Sequence, residues 1–215
     1  MLTAKIYAGP ITNLTDARYF AAWDVTWLSF NLSPDEDSFL HPNQVQAIKE
    51  WVEGPAMVGE FNLHSTEEIQ KLAVDLQLDA IKVGMNTGLD TLLELDTDLP
   101  IFKEIIVAKE TNCEQLETLL SDFAPKTTYF ILNFAQEDWT YTELQEAQEL
   151  NWTYLHKLSQ HYPIIFNLGF GAEPILDLLE NSQATGIQVT GGAEEKVGYK
   201  SFDELDEILE ALEDS

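Results

Sequence analysis

The chain has 215 residues, 45% of them hydrophobic, and sets 38 acidic side chains against 11 basic ones, for a formal charge of −27 and an isoelectric point near 4.1. That balance excludes nucleic acid and anionic membrane as partners, because both are bound through surplus Lys and Arg that displace counterions. A solubilising surface is the ordinary use of such acidity, and with Arg18 as the one arginine an anion would be held by backbone amides, helix N-termini and a few lysines.

A single cysteine, Cys113, excludes an intramolecular disulfide, and with four scattered histidines it offers no thiolate-rich metal site, so neither metal nor cofactor is expected. No basic segment followed by an apolar run opens the chain, and no stretch reaches the roughly 18 consecutive apolar residues of a membrane span. A cytoplasmic protein is expected.

The first strand is read at Lys5–Ile11, with Thr12 or Asn13 capping a short helix that contains Asp16, Ala17, Arg18 and Phe20. Val25–Asn31 reads as strand two. After the acidic loop Ser33–Ser38, a helix from Pro42 to Val52 carries Val45, Ile48 and Trp51 at helical spacing. Strand three is Ala56–Asn62, and the capping box Ser65–Glu68 opens a helix with the stripe Ile69, Leu72, Ala73 and Leu76. Ala80–Gly84 is strand four, followed by a helix marked by Leu89, Leu92 and Leu93. Ile101–Val107 is strand five, followed by a helix with Leu116, Leu119, Leu120 and Phe123. Strand six, Thr128–Asn133, leads into a long acidic connection to about position 160, with a second capping box at Thr140–Glu143 and room for one or two helices. Strand seven is Pro163–Asn167, with Gly169 and Gly171 in the turn and a helix through Ile175, Leu178 and Leu179. The segment Gly186–Glu194 supplies strand eight and a glycine turn, and a capping box at Ser201–Glu204 starts the last helix, which carries Phe202, Leu205, Ile208, Leu209 and Leu212.

Eight short apolar strands alternating with helices, about 27 residues apart, meet the requirement of a (β/α)8 TIM barrel, since each parallel pair needs a crossover. The whole of 1–215 is then one domain. A doubly wound open sheet is the alternative, but it uses fewer strands and leaves an edge uncovered.

Alternation along the strands sends Ile6, Leu28, Phe30, Phe61, Ile81, Val83, Phe130, Leu132, Phe166, Ile187 and Val189 outward against the helices. The opposite parity points Lys5, Tyr7, Ser29, Asn31, Glu60, Asn62, Lys82, Asn133, Asn167, Gln188 and Thr190 inward, a polar interior for a barrel. Four strands end in an apolar residue followed by Asn, at Asn31, Asn62, Asn133 and Asn167. These amides either cap the following turns or form a partial ring at the mouth that binds a polar ligand. Lys5, Glu60 and Lys82 form a second cluster, because a charge inside a barrel is tolerated when paired; Glu60 is expected within hydrogen-bond reach of at least one of the two lysines, in a structural or a functional role. Gly191-Gly192, after a β-branched strand, either turn the chain tightly or present amides to an anion.

These residues resemble a known family, the phosphoribosylanthranilate isomerases of tryptophan biosynthesis, which are (β/α)8 barrels. The similarity spans nearly the whole chain and is best in Lys5-Ile6, Gly9 and Ile11–Arg18, and again in Gly186–Glu194 with Gly198-Tyr199-Lys200. Weaker matches are Gly59–Asn62, Leu78–Val83 and Asn151-Trp152. The resemblance implies an Amadori rearrangement of a phosphorylated aminoribose, which needs a general base and a general acid on opposite sides of the sugar. In the family the base is a cysteine two residues after the first-strand lysine, where this chain has Tyr7-Ala8. The acid is an aspartate at the end of strand six, where it has Asn133. Alanine has no proton to exchange, tyrosine is a weak base near neutral pH, and an amide does not titrate.

Other departures are the missing basic residue in the Ser33–Ser38 loop, Gly84 where the family has a histidine, and the acidic insert in place of a glycine-rich segment after strand six. Cys113, in the first turn of a helix, reads as a surface thiol and not as a substitute base. The resemblance further implies a phosphate grip in the turns after strands seven and eight, matching Gly169, Gly171, Gly191 and Gly192, with a one-residue shift in the first pair. Lys5, Asn31, Asn62, Lys82, Asn133 and Asn167 remain candidates for binding the rest of a small phosphorylated molecule. Two functional classes stay open: a sugar-phosphate (aldose–ketose) isomerase with a rewired set such as Lys5, Glu60 or Lys82, or a non-catalytic phosphate-ligand-binding or regulatory paralogue. Oligomeric state is not legible.

Overall fold

Parallel neighbours in a sheet need long connections, and here helices fill every one of them. In the computed structural model, which describes residues 2–169, 171–196 and 199–213, β1 (Lys5–Ala8), β2 (Trp27–Asn31), β3 (Ala56–Phe61), β4 (Ala80–Val83), β5 (Ile101–Ile106), β6 (Tyr129–Asn133), β7 (Ile164–Asn167) and β8 (Gly186–Val189) pair in sequence order. All pairs are parallel, and β8 closes on β1 with Ile6 opposite Ile187 and Tyr7 opposite Gln188. The expected (β/α)8 barrel is therefore the observed one. Phe170, Val197 and Gly198, expected in or beside the phosphate turns, lie outside the described residues. Among the described residues no helix is long and apolar enough to cross a membrane.

The helices are α1 (Leu14–Ala22), α2 (Pro42–Lys49), α3 (Thr66–Asp75), α4 (Leu89–Glu94), α5 (Cys113–Phe123), α6 (Tyr141–Glu146), α7 (Trp152–His161), α8 (Ala172–Ser182) and α9 (Asp203–Ala211). Their starts follow local chemistry. Asn13 caps α1 by accepting from the Asp16 amide at 3.0 Å, and the boxes at Ser65 and Thr140 form as read, each with its glutamate returning to the cap backbone. Two further boxes, His41 with Gln44 and Asn112 with Gln115, open α2 and α5. The acidic connection after β6 holds both α6 and α7.

Two expectations are corrected. The box at Ser201–Glu204 does not form, because Ser201 is committed to a hairpin of β9 (Ala193–Lys196) and β10 (Tyr199–Ser201), opposite Ala193. Phe202 becomes the N-cap of α9, without a side-chain cap. Trp51 does not continue the α2 stripe: the helix ends at Lys49, whose Nζ donates to the carbonyls of Leu76 and Gln77, and Trp51 is left 70% exposed.

The strand parity holds. Ile6, Leu28, Phe30, Phe61, Ile81, Val83, Ile187 and Val189 pack under the helices on one side, and Phe130, Leu132 and Phe166 on the other. Inside, alternate strands stack side chains in layers. Tyr7, Val58, Phe102 and Ile165 come from odd-numbered strands, and Trp27, Ala80 and Tyr129 from even ones. Phe102 lies 5.3 Å from the Tyr7 ring, 5.1 Å from Trp27 and 4.9 Å from Tyr129, between centroids. Two residues further along the same strands the interior turns polar, with Ser29, Lys82 and Gln188 from the even strands and Glu60, Glu104 and Asn167 from the odd ones, while Ile131 of β6 stays apolar and joins the floor cluster. The barrel thus has an apolar floor and a charged mouth.

Phe102 touches every aromatic ring of that floor, so Phe102→Ala is expected to destabilise the protein by about 3–5 kcal/mol in urea denaturation, the range for emptying a phenylalanine site that cannot collapse. A loss below about 1 kcal/mol would mean the floor is loosely packed.

Candidate functional site

In a (β/α)8 barrel the C-terminal ends of the strands and the loops that follow them carry the chemistry, and the opposite face carries stability. A cavity of about 350 Å³ opens at that face, lined in part by Asn31, Glu36, Glu60, Asn62, Lys82 and Glu104. A larger depression of about 630 Å³ lies at the N-terminal ends of the strands, beside Lys5, Trp23 and Asp24. The smaller one is the candidate site, because position in the barrel outweighs volume.

Lys82 organises it. It is 5% exposed, and its Nζ lies 3.1 Å from Glu60 Oε2 and 3.3 Å from Glu104 Oε2. Burial by itself pulls a lysine toward neutrality. The carboxylates of Glu60 and then Glu104 outweigh it, and the ammonium is held protonated well above the usual lysine range. A proton bound more tightly in the folded state stabilises fully below the ordinary lysine value, and that gain is lost only as pH rises through the raised one.

The expected Glu60–Lys82 pair is present, but Lys5 is not part of it. Lys5 opens β1 at the other end of the barrel, where its Nζ donates to Tyr129 Oη at 3.1 Å and sits over the rings of Trp27 and Tyr129. Glu104 takes its place as the third member. It was legible in principle, since it shares parity with Phe102, but β5 carries Lys103 and Glu104 side by side and so shows no polar–apolar alternation. Lys103 faces the helices: its Nζ donates to the carbonyls of Gly84 at 2.7 Å and Thr87 at 2.9 Å. Burial pushes it down to about 8, against a smaller upward pull from Glu104.

Of the four strand-end asparagines, two cap the turns that follow them. Asn31 accepts from the Ser33 amide at 2.8 Å, and Asn133 from the Gln136 amide at 3.1 Å, so both cap the turns that follow. Their other ends face acids. Asn31 Nδ2 donates to Glu36 Oε2 at 2.7 Å, Asn62 Nδ2 to Glu36 Oε1 at 2.9 Å, and Asn133 Nδ2 to Glu104 Oε1 at 2.9 Å. Asn167 pairs in register with Asn133, half-buried and outside the cavity lining. Asn31 and Asn62 therefore share the cavity with Lys82, Asn133 stands behind Glu104, and Asn167 stands aside.

Tyr7 is fully buried and its hydroxyl donates to Glu60 Oε1 at 3.0 Å. Burial first, and the Glu60 carboxylate second, raise its pKa well above the usual tyrosine value, so it remains a protonated donor. Cys113 takes no part in this cluster: its Sγ donates to the Glu149 carbonyl at 3.3 Å, and burial and then Glu149 raise its thiol.

The two glycine turns differ. Gly191 is packed against α1, where a Cβ would fall 2.4 Å from Asp16 Oδ2, and Gly192 is closed in by the Ser201 carbonyl and the Phe202 ring. Gly169 and Gly171 face open space, and Gly171 caps α8 with no side-chain hydrogen bond, so that Ala172 and Glu173, but not Pro174, carry first-turn amides without a capping side chain.

If Lys82 neutralises the buried Glu60 and the half-buried Glu104, Lys82→Met should cost about 3–5 kcal/mol in urea denaturation at neutral pH, with part regained when Glu60→Gln is added. A cost of about 1 kcal/mol or less would place the triad in the class of solvated surface pairs.

The family model for N-(5'phosphoribosyl)anthranilate (PRA) isomerase matches residues 10–211. An N-(5'-phosphoribosyl)anthranilate isomerase of Dehalococcoides mccartyi is 25% identical over 177 residues, covering 79% of this chain and 76% of its own. Among solved structures, the isomerase of Thermotoga maritima superposes with a TM-score of 0.76 at 17% identity, over 97% of this chain and 98% of its own. An isomerase crystallised with reduced 1-(o-carboxyphenylamino)-1-deoxyribulose 5-phosphate also gives 0.76, at 16% identity and the same coverage. With a barrel closed in the same order and a family model that spans nearly its entire length, this chain belongs to the N-(5'-phosphoribosyl)anthranilate isomerase family.

Proposed function

We propose that this family member binds a small phosphorylated ligand at the mouth of the barrel and that its Amadori isomerase activity is altered or lost. One observation carries the second half: the residue at the position of the family's base, Tyr7, is sealed under the mouth and donates its proton to Glu60. A general base needs an accessible lone pair on a group that titrates near the working pH. Tyr7 offers neither. At the position of the acid, Asn133 has no proton to give at neutral pH, and both ends of its amide are committed, to the Gln136 amide and to Glu104.

The phosphate half is supported by the Ala172 and Glu173 amides that open α8, an 11-residue helix with no side-chain cap at Gly171, since such an end favours an anion. The relative crystallised with a deoxyribulose 5-phosphate compound gives the scale of ligand. Gly191 and Gly192 would join the grip through backbone amides. A second functional class is favoured by one feature: Glu60 and Glu104 both reach the cavity from either side of Lys82. An isomerase working through those carboxylates would lose turnover in Glu104→Gln.

The test is an assay of the purified protein with phosphoribosylanthranilate. Its kcat/KM is expected to fall about 10²–10⁴-fold below that of an ordinary family member, the contribution of a positioned acid or base. Parity with an ordinary member would overturn the proposal. For the phosphate, amide resonances of residues 169, 171, 191 and 192 should shift on titration with inorganic phosphate, and their silence would count against a retained grip.

A further inference from the structure

The charge at the mouth specifies more than the absence of a reaction. Glu36, Glu60 and Glu104 line or border the cavity against a single cation, Lys82, which is already clasped by two of them. The side-chain amides face the same acids. The amide Nδ2 groups of Asn31, Asn62 and Asn133 all donate to these same carboxylates, at 2.7, 2.9 and 2.9 Å.

The polar atoms here that lack any partner are of one kind. Asn62 Oδ1, in the cavity lining, and Gln188 Oε1 have no hydrogen-bond partner. Gln188, 6% exposed, lies on the inward face of β8 outside the cavity lining, and donates its Nε2 to the Gly9 carbonyl at 3.2 Å. Both unpartnered atoms are acceptors. This second observation is independent of the acidic side chains and has the same sense: an occupant has to bring donors.

We infer that the mouth of this barrel takes a protonated amine on a small, hydroxyl-rich ligand, and rejects a carboxylate such as that of anthranilate. The inference deepens the proposed function and rests on its reading of the mouth as the ligand site. A carboxylate entering the cavity would meet three of its own kind and a lysine with no free charge to offer. An ammonium would meet acceptors on several sides, in a field that the whole protein, at −27, makes more favourable to cations. A hydroxyl group would supply the remaining donor to Asn62, and a cavity of about 350 Å³ has room for a hexose.

Four probes separate the amine from the phosphate: glucosamine, glucose, glucosamine 6-phosphate and glucose 6-phosphate, each titrated into the protein by calorimetry at low ionic strength and a pH at which the amine is charged. Each amino sugar should bind about ten-fold or more tightly than its hydroxyl counterpart, as one well-placed charge pair is worth about 1.4 kcal/mol at an intermediate dielectric. Glu104→Gln should reduce that preference, and Glu36→Gln, at the exposed rim where folding is not at stake, should reduce it independently. Equal binding of amine and hydroxyl partners, or no saturable binding of either amino sugar, overturns the inference. The phosphate arm reports separately. A preference for amines without any gain from phosphate leaves the inference standing and removes the phosphate grip, whereas binding of glucose 6-phosphate with both amino sugars no better than their counterparts does the reverse.

Discussion

A lysine inside a barrel persists only if its charge is answered there, and Lys82 is answered twice. Glu60 and Glu104 hold its ammonium from neighbouring strands at 3.1 and 3.3 Å, and each carboxylate then recruits a further donor, Tyr7 for Glu60 and Asn133 for Glu104. Buried ions of this kind cost several kcal/mol each to desolvate and are tolerated when every lone pair and proton is engaged. The engagement accounts for the residues that look out of place for the family. Tyr7 serves as a donor beneath Glu60, and an amide at position 133 can donate to Glu104, which an ionised aspartate could not do. The two departures from the family's acid–base pair are thus parts of one network.

The network sits on an apolar floor, joined to it by Tyr7. Tyr7, Trp27, Phe102 and Tyr129 fill the lower barrel with rings, and Lys5 closes the bottom by lying over two of them. Ring packing and ion pairing are thus arranged by height along the barrel axis, and both contribute to stability.

Much of this was legible in the sequence because period-two alternation and helix caps are local. The strand parity came through because an outward Phe30 or Leu132 cannot exchange faces with its neighbour without moving an apolar side chain off the core. The pairing of Glu60 with Lys82 followed from the same alternation and the cost of an unpaired charge. Glu104 was missed because Lys103 beside it cancels the pattern, and only the fold reveals that Lys103 leaves its charge among loop carbonyls under the helices. Lys5 was misplaced because parity reports the face of a strand and not the height along it. The hairpin after β8 was hidden because Ser201 presents a good cap whose competing role, pairing with Ala193, depends on a residue eight positions away. Asn31 and Asn133 cap their turns as a strand-end asparagine can, yet their other ends, like that of Asn62, turn to acids that lie elsewhere in the chain.

The central claim is that the network around Lys82 has replaced the acid–base machinery of the Amadori rearrangement. Growth without tryptophan in a bacterial strain deprived of its own phosphoribosylanthranilate isomerase tests it most directly, with this chain expressed as the sole replacement and its folded presence verified. The account predicts no growth. Colonies at the rate supported by an ordinary family member would contradict it.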